Sequence, residues 1–250
     1  MSLEPLRPDF TPFHRGDDGP VLEPPAPLRI GLLAFGGVIA LGGLWMLLCA
    51  LLAPPVIALP LDRDAAAAAA ANRGRAVAAA RLGIIRGDLY AQAAYADARL
   101  LWLDRARGLD AATAAEVRAA RSNAETALAL APVNGSVWLF LAELPPASAK
   151  ASDQNGLMAL QMSYLTAPDD PALALPRVAR ALASNVPIDK DLQAFVRTDL
   201  REILTTQPSE RPALLSAYKA ASPQNQAMFE ALAAEIDPDF SQSLRSQTPK

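Results

Sequence analysis

The chain has 250 residues, 52% of them hydrophobic, with 23 Lys and Arg against 26 Asp and Glu and a net charge of −3. The basic residues are dispersed, so the electrostatic footprint of a nucleic-acid binder is missing. A single cysteine forbids an intrachain disulfide, and a single histidine, His14, leaves nothing for His-based triads, His-liganded zinc or CxxC chemistry; no catalytic residue, metal or cofactor is expected.

Residues 1–28 carry seven prolines with Asp17 and Asp18, a composition that cannot propagate a helix and has little to bury, so a disordered tail is expected. Leu6, Phe10 and Phe13 are scattered apolar residues in that tail, with a short docking motif as the alternative. Residues 30–53 then run without a charge or a proline. They exceed the ~20 residues an apolar helix needs to cross a bilayer, and a transmembrane helix over 29–53 is predicted. The run is too long for the h-region of a signal peptide, and Leu48 stands before Cys49 where a lipoprotein site wants a small residue, so the segment reads as a signal anchor. Gly36 and Ala40 form a small-xxx-small pair with Gly43 one turn on, a face where a second membrane helix approaches closely. Arg29 and Arg15 precede the span while Arg63, Arg73 and Arg75 follow at a distance. The positive-inside rule then places the tail in the cytoplasm and the remainder outside it, in the periplasm for a bacterial inner-membrane protein.

Pro54, Pro55 and Pro60 make 54–61 a stiff linker, and an α-helical domain over 62–246 follows, with 247–250 as a tail. Asp62 or Asp64 should cap an alanine-rich helix over 65–82, and Asp88 a second helix over 89–103, where Tyr90, Tyr95, Leu101 and Trp102 form an aromatic stripe expected to be core. Arg73, Arg75, Arg81 and Arg86 read as a solvated face, with lipid headgroups as the alternative. Gly108 to Asp110 restart the chain. Val117, Ala120, Ala124, Ala127, Leu128 and Ala131 then fit a 3.6 period over 112–130.

The next stretch carries a pattern. Pro132 closes a helix, and after a polar turn Trp138 is followed three and four residues later by Leu141 and Ala142. Pro168 lies thirty-six residues after Pro132, and Leu157, Ala159, Leu160 and Tyr164 fall between on a helical period. This resembles the junction between tetratricopeptide repeats, in which a proline ends one repeat and a Trp-x-x-Leu-Ala run opens the next. The resemblance covers residues 134–168. It implies stacked helix pairs presenting a face to another protein, and similar arrangements behind a membrane anchor occur in bacterial envelope proteins linked to polysaccharide assembly and export. The pattern departs at Pro145, inside the expected first helix of the repeat, and after Pro168, where no tryptophan follows and Pro176 should interrupt or restart the helix.

Further helices are expected over 173–184, over 192–206 with Asp189 or Asp191 as cap, from a Ser209 cap to about 220, and from Pro223 to 236. Pro238 should introduce a last turn and a polar tail. Asp169 and Asp170 read as turn residues before Pro171. The expected fold is all-α, about nine short helices in antiparallel pairs behind one membrane helix. The expected function is a non-enzymatic, membrane-anchored interaction scaffold whose partners are membrane or envelope proteins, with homo-oligomerisation open. An accessory subunit held through Gly36, Ala40 and Gly43 is the alternative, and a carboxylate-dependent enzyme a third reading.

Overall fold

The structure is a computed structural model and describes residues 25–57, 59, 63–97, 111–145 and 153–246. His14, Phe10, Phe13, Asp62, Leu101, Trp102, the 108–110 restart and Pro146 lie outside the described residues. Every regular element among the described residues is helical, and no strand occurs there. The chain divides into two compact units, Met1–Trp45 and Met46–Lys250.

Helix α1 (Ala26–Leu52) is long and apolar enough to cross a membrane, with a mean hydropathy of 2.2 in its apolar window. It begins earlier than the 29–53 expected, because Pro27 falls in the first turn, where a missing N–H breaks no helical hydrogen bond.

In the second unit the alanine run does not form one helix. It splits into α2 (Arg63–Ala71) and α3 (Arg73–Leu82) at Asn72, whose side-chain amide donates to the Ala68 carbonyl (3.0 Å) and replaces a backbone donor there. Helix α4 (Gly87–Tyr95) starts two residues before the expected 89. Asp88 therefore lies inside the first turn and does not cap it, and Arg86 occupies the N-cap position. Helix α4 packs on α3 and on α5 (Ala111–Leu130). Val117, Ala120, Ala124, Ala127 and Leu128 of α5 are all buried.

Helix α6 (Gly135–Glu143) is capped by the Asn134 side chain, which accepts from Val137 N (3.1 Å), and it packs closely on α7 (Gln154–Thr166). The helix stops before Pro145 instead of containing it. Leu144 is extended, as a residue before proline is constrained to be. A Cβ on Gly135 would sit 2.5 Å from the Ala167 Cβ, so only glycine lets the start of α6 meet the end of α7 this closely.

Helix α8 (Pro171–Leu182) is capped by Asp170, which accepts from Ala172 N, and Pro176 sits inside it without a break. The bond it forfeits is to the carbonyl of Ala172, an exposed residue near the helix start where water can replace it. Helix α9 (Lys190–Thr206) is capped by Asp189. Ser209 does not cap the next helix. It lies within a 3₁₀ turn, Pro208–Glu210, and α10 (Arg211–Ala220) follows with Glu210 at its N-cap. Ser222 caps α11 (Pro223–Ile236). The expected polar tail is in part helix α12 (Pro238–Ser246), which buries Phe240, Ser241 and Leu244.

Helix starts recur. The N-caps of α6 and α8 are Asn134 and Asp170, and those of α7 and α9 are Asp153 and Asp189; both pairs are thirty-six residues apart. Burial recurs at the same interval, with Leu160, Ser163 and Tyr164 matched by Val196, Asp199 and Leu200.

Two hydrophobic clusters hold the second unit. One is built from α4, α5 and α6 around Tyr95 and Phe140, whose rings meet edge to face at 5.4 Å. The other runs from α6 and α7 to α12. Ile57 and Leu59, from the segment expected to be a linker, pack against the first cluster. The Gln92 side chain fixes that segment in both directions, accepting from Ile57 N (2.7 Å) and donating to Ile57 O (3.1 Å).

Candidate functional site

On α1, Gly36 and Gly43 have no atom within 4 Å of where a Cβ would stand, and Ala40 is exposed between them. The face holds no charge and no hydrogen-bonding side chain, so what it offers is close helix approach and nothing more.

The residues of the Pro-Trp-Leu-Ala pattern meet at one junction, apart from Pro168. The Trp138 indole N–H donates to the Pro132 carbonyl (2.8 Å), tying the ring to the turn before its own helix. Trp138 and Leu141 are half-buried and touch both hydrophobic clusters, joining the two cores. Ala142 is buried, and its carbonyl accepts from Arg180 Nε (2.6 Å). Pro168 is exposed in the turn that leads to Asp170. These residues therefore build the packing of the hairpin and present no reactive group.

Among the described residues, a dense polar cluster in the core centres on residues that the sequence pattern does not mark. Arg177, fully buried, donates from Nη2 to the carbonyls of Ser163 (2.6 Å) and Ala167 (2.8 Å) and from Nε to Ser163 Oγ (3.0 Å). It thus adds a side-chain donor to the carbonyls at the C-terminal end of α7, where Ser163 O also accepts from Ala167 N (3.2 Å) and Ala167 O from Asp170 N (3.5 Å). Ser163 Oγ in turn donates to the Gly135 carbonyl (2.8 Å), so one arginine links α6, α7 and α8. The guanidinium lies 4.7 Å over the Tyr164 ring, and that ring stacks on Phe195 of α9 at 5.1 Å. Asp199 of α9, 5% exposed, completes the group. Burial pushes its carboxyl up to about 6, against the opposing pull of the Arg177 charge. Burial also lowers the Arg177 guanidinium and raises the Tyr164 hydroxyl, whose proton is further retained by the neighbouring Asp199 charge. Tyr164 and Asp199 lie within electrostatic reach, yet the hydroxyl and Asp199 Oδ2 make no hydrogen bond of good geometry.

A sequence signal for this cluster existed. Arg177 stands on the face of α8 that carries Leu173, Ala174, Val178 and Ala181, and Asp199 on the face of α9 that carries Leu192, Val196, Leu200 and Ile203. Opposite charges on the apolar faces of consecutive helices predict a buried pair. A second arginine, Arg180, binds the Ala142 carbonyl and the Asp153 carboxylate, joining the end of α6 to the N-cap of α7. Both arginines act as struts between one hairpin and the next.

Two surface clefts, of about 350 Å³ beside Arg211, Asp239 and Phe240 and about 290 Å³ beside Leu175, Pro176 and Glu210, each hold one carboxylate; Ser243 also lines the first, and its Oγ donates to the Phe240 carbonyl (2.6 Å). No group of three or more metal-ligating side chains occurs among the described residues. No protein-family model matches the chain, and no curated protein or solved structure matches it significantly.

Proposed function

We propose that this protein is a single-span membrane protein whose helical unit is a docking scaffold of the tetratricopeptide type. The observation that carries the reading is the thirty-six-residue recurrence of both helix starts, Asn134 with Asp170 and Asp153 with Asp189, on two successive packed pairs. Repeats of this length stack so that each buries its face on the next, and the exposed surface of the stack serves an extended peptide or a partner helix. The polar chemistry of the core fits this role, since Arg177 and Arg180 use their donors on helix-end carbonyls and an N-cap carboxylate instead of an open cleft. In this reading the chain is not an enzyme, its tail lies in the cytoplasm of a bacterium, its helical unit lies in the periplasm, and it supports assembly of an envelope or polysaccharide complex.

The open glycine face of α1 favours a second reading, an accessory subunit gripped through Gly36, Ala40 and Gly43. Photo-crosslinking side chains placed in the full chain at Met158 and at Ala40 separate the two. The same defined protein captured from Met158, 58% exposed on α7, and not from Ala40 supports the scaffold; capture from Ala40 alone overturns it in favour of the accessory subunit. A reporter fused after Lys250 that is active only outside the cytoplasm tests the location, and silence from an expressed fusion overturns the periplasmic assignment.

A further inference from the structure

Among the described residues outside α1, seven large apolar side chains are exposed, Val56 the most, and four of them gather in two adjoining turns. Ile84 (66% exposed) and Ile85 (69%) form the tip between α3 and α4, and Leu130 (40%) and Val133 (76%) flank the turn after α5. The turns touch: a Cβ on Gly87 would lie 3.1 Å from the Leu130 Cβ and 3.2 Å from that of Ala131. Arg81 and Arg86 border the tip.

The tip is locally unfavourable. Ile84 has φ of +24°, the one positive value among the described non-glycine residues, in a region that β-branched side chains disfavour. Glycine or asparagine would serve the turn better. Its backbone penalises Ile84 and its own core does not bury it, so the benefit lies outside the unit.

Its position says where. A bilayer's ~30 Å hydrocarbon layer takes about 20 helical residues. Counted from Ile30, the first residue after Arg29, that length ends at Cys49. Cys49 is fully buried while Leu48 and Leu51 beside it are exposed, so other residues of the second unit close over that position. Arg86 lies within electrostatic reach of Cys49, and Arg75 Nη2 donates to the carbonyls of Leu51 and Ala53 (3.3 Å each). Arg75 lies in the first turn of α3 and Arg86 closes the turn into α4, so this part of the second unit lies near the residues with which α1 ends.

We propose that Ile84, Ile85, Leu130 and Val133 dip into the acyl–headgroup boundary of the leaflet in which α1 ends, with Arg81 and Arg86 among the lipid headgroups. The inference rests on α1 spanning the membrane. Arg86 already pairs with Asp88, which leaves Arg81 as the cation more available to anionic lipid. A bilayer suits this surface better than a protein groove, because apolar tips with basic shoulders match the interface's own order of hydrocarbon, then phosphate.

The test uses the full chain with Cys49→Ala, reconstituted in nanodiscs of phosphatidylethanolamine and phosphatidylglycerol. Nitroxide labels are placed singly at Ile85→Cys, Leu41→Cys and Met158→Cys. Collisional access to oxygen, which concentrates in hydrocarbon, is compared with access to a water-soluble nickel chelate. The expected result is an oxygen-to-nickel ratio at Ile85 several-fold above that at Met158 and below that at Leu41. An Ile85 label as nickel-accessible as Met158, with Leu41 in hydrocarbon, overturns the proposal and leaves the span standing. An Ile85 label shielded from both reagents also overturns it, because a protein then covers the tip. A nickel-accessible Leu41 overturns the span, and the proposal with it.

Discussion

The two cores of the helical unit are packed on different principles. The cluster of α4 to α6 is rich in alanine, five of its eleven buried residues, with Ala91, Ala94, Ala120, Ala124 and Ala127 at its contacts and Tyr95, Val117, Leu128, Val137, Phe140 and Leu144 as its larger side chains. The cluster of α6 to α12 has six alanines among 25 buried residues and is otherwise leucine, isoleucine, valine and aromatic residues, and two buried arginines cross-link its hairpins. Alanine lets helices approach closely at no side-chain entropy cost, but each buries little surface. The first core therefore depends on a few large side chains, while the second spreads its stability over many residues and adds directional bonds. Small contacts make a core fragile at single points; charged struts make one sensitive to pH.

The sharpest way to break the contrast is Phe140→Ala. Phe140 is fully buried and carries the ring contact to Tyr95, so its loss should cost about 4–5 kcal/mol, at the upper end for such a truncation, and uncouple the first core. Denaturant unfolding of the full chain in detergent, followed by helical circular dichroism, should lose a single transition and show an early one. A cost near 1 kcal/mol would remove the claimed fragility.

Arg177→Ala comes next, at about 3 kcal/mol, since it leaves the Ala167 carbonyl only its long bond from Asp170 N (3.5 Å) and Asp199 buried without the nearby cation. The value sits at the low end because the Ser163 carbonyl keeps its bond from Ala167 N. Arg177→Met combined with Asp199→Leu should recover most of the loss. Failure to recover would mean that capping the α7 carbonyls outweighs the charge interaction between Arg177 and Asp199.

Gly135→Ala should cost about 1–3 kcal/mol by overpacking, because the new methyl meets the Ala167 Cβ and the Ser163 carbonyl (3.1 Å). A neutral melting temperature would show that α6 and α7 can slide apart freely.

The last effect is a slope. Asp199 titrates at about 6 in the folded protein against 3.8 ordinarily, so the folded state holds this proton more tightly than the unfolded state. Its charged form burdens stability fully above pH 6, and the burden eases as pH falls from 6 toward 3.8. The contribution is up to about 1.4 kcal/mol per pH unit. Asp199→Asn should flatten unfolding free energy over that window and leave the slope above pH 7 unchanged. An unaltered slope between pH 4 and 6 would mean that Asp199 is ionised throughout.

Much of the helical order is readable from the chain, because caps and periodic apolar faces act locally. Asn134, Asp170 and Asp189 each cap through a side-chain bond within three residues, and the face of Leu192, Val196, Leu200 and Ile203 is buried as its spacing requires. The misplacements have local causes too. Asn72 competes for a carbonyl within an alanine run, and the turn at Pro208 takes Ser209 into a 3₁₀ element. The polar cluster was harder to read because its members are distant in sequence: Ser163, Arg177 and Asp199 gain meaning only once three helices meet. The tip at Ile84 was hidden for another reason, since exposure of an apolar residue is a property of the assembled surface.

The Gln92 bridge to Ile57 decides where this molecule can be cut. A soluble fragment started at residue 62, where composition marks the domain, would discard Ile57 and Leu59, leave the Gln92 amide without its two backbone partners and open one side of the alanine-rich core to water. Starting at Pro54, itself buried, keeps all of these contacts and still omits the apolar helix. For expression, crystallisation or grafting onto another membrane helix, Pro54, Ile57 and Leu59 belong to the folded cargo and not to the tether.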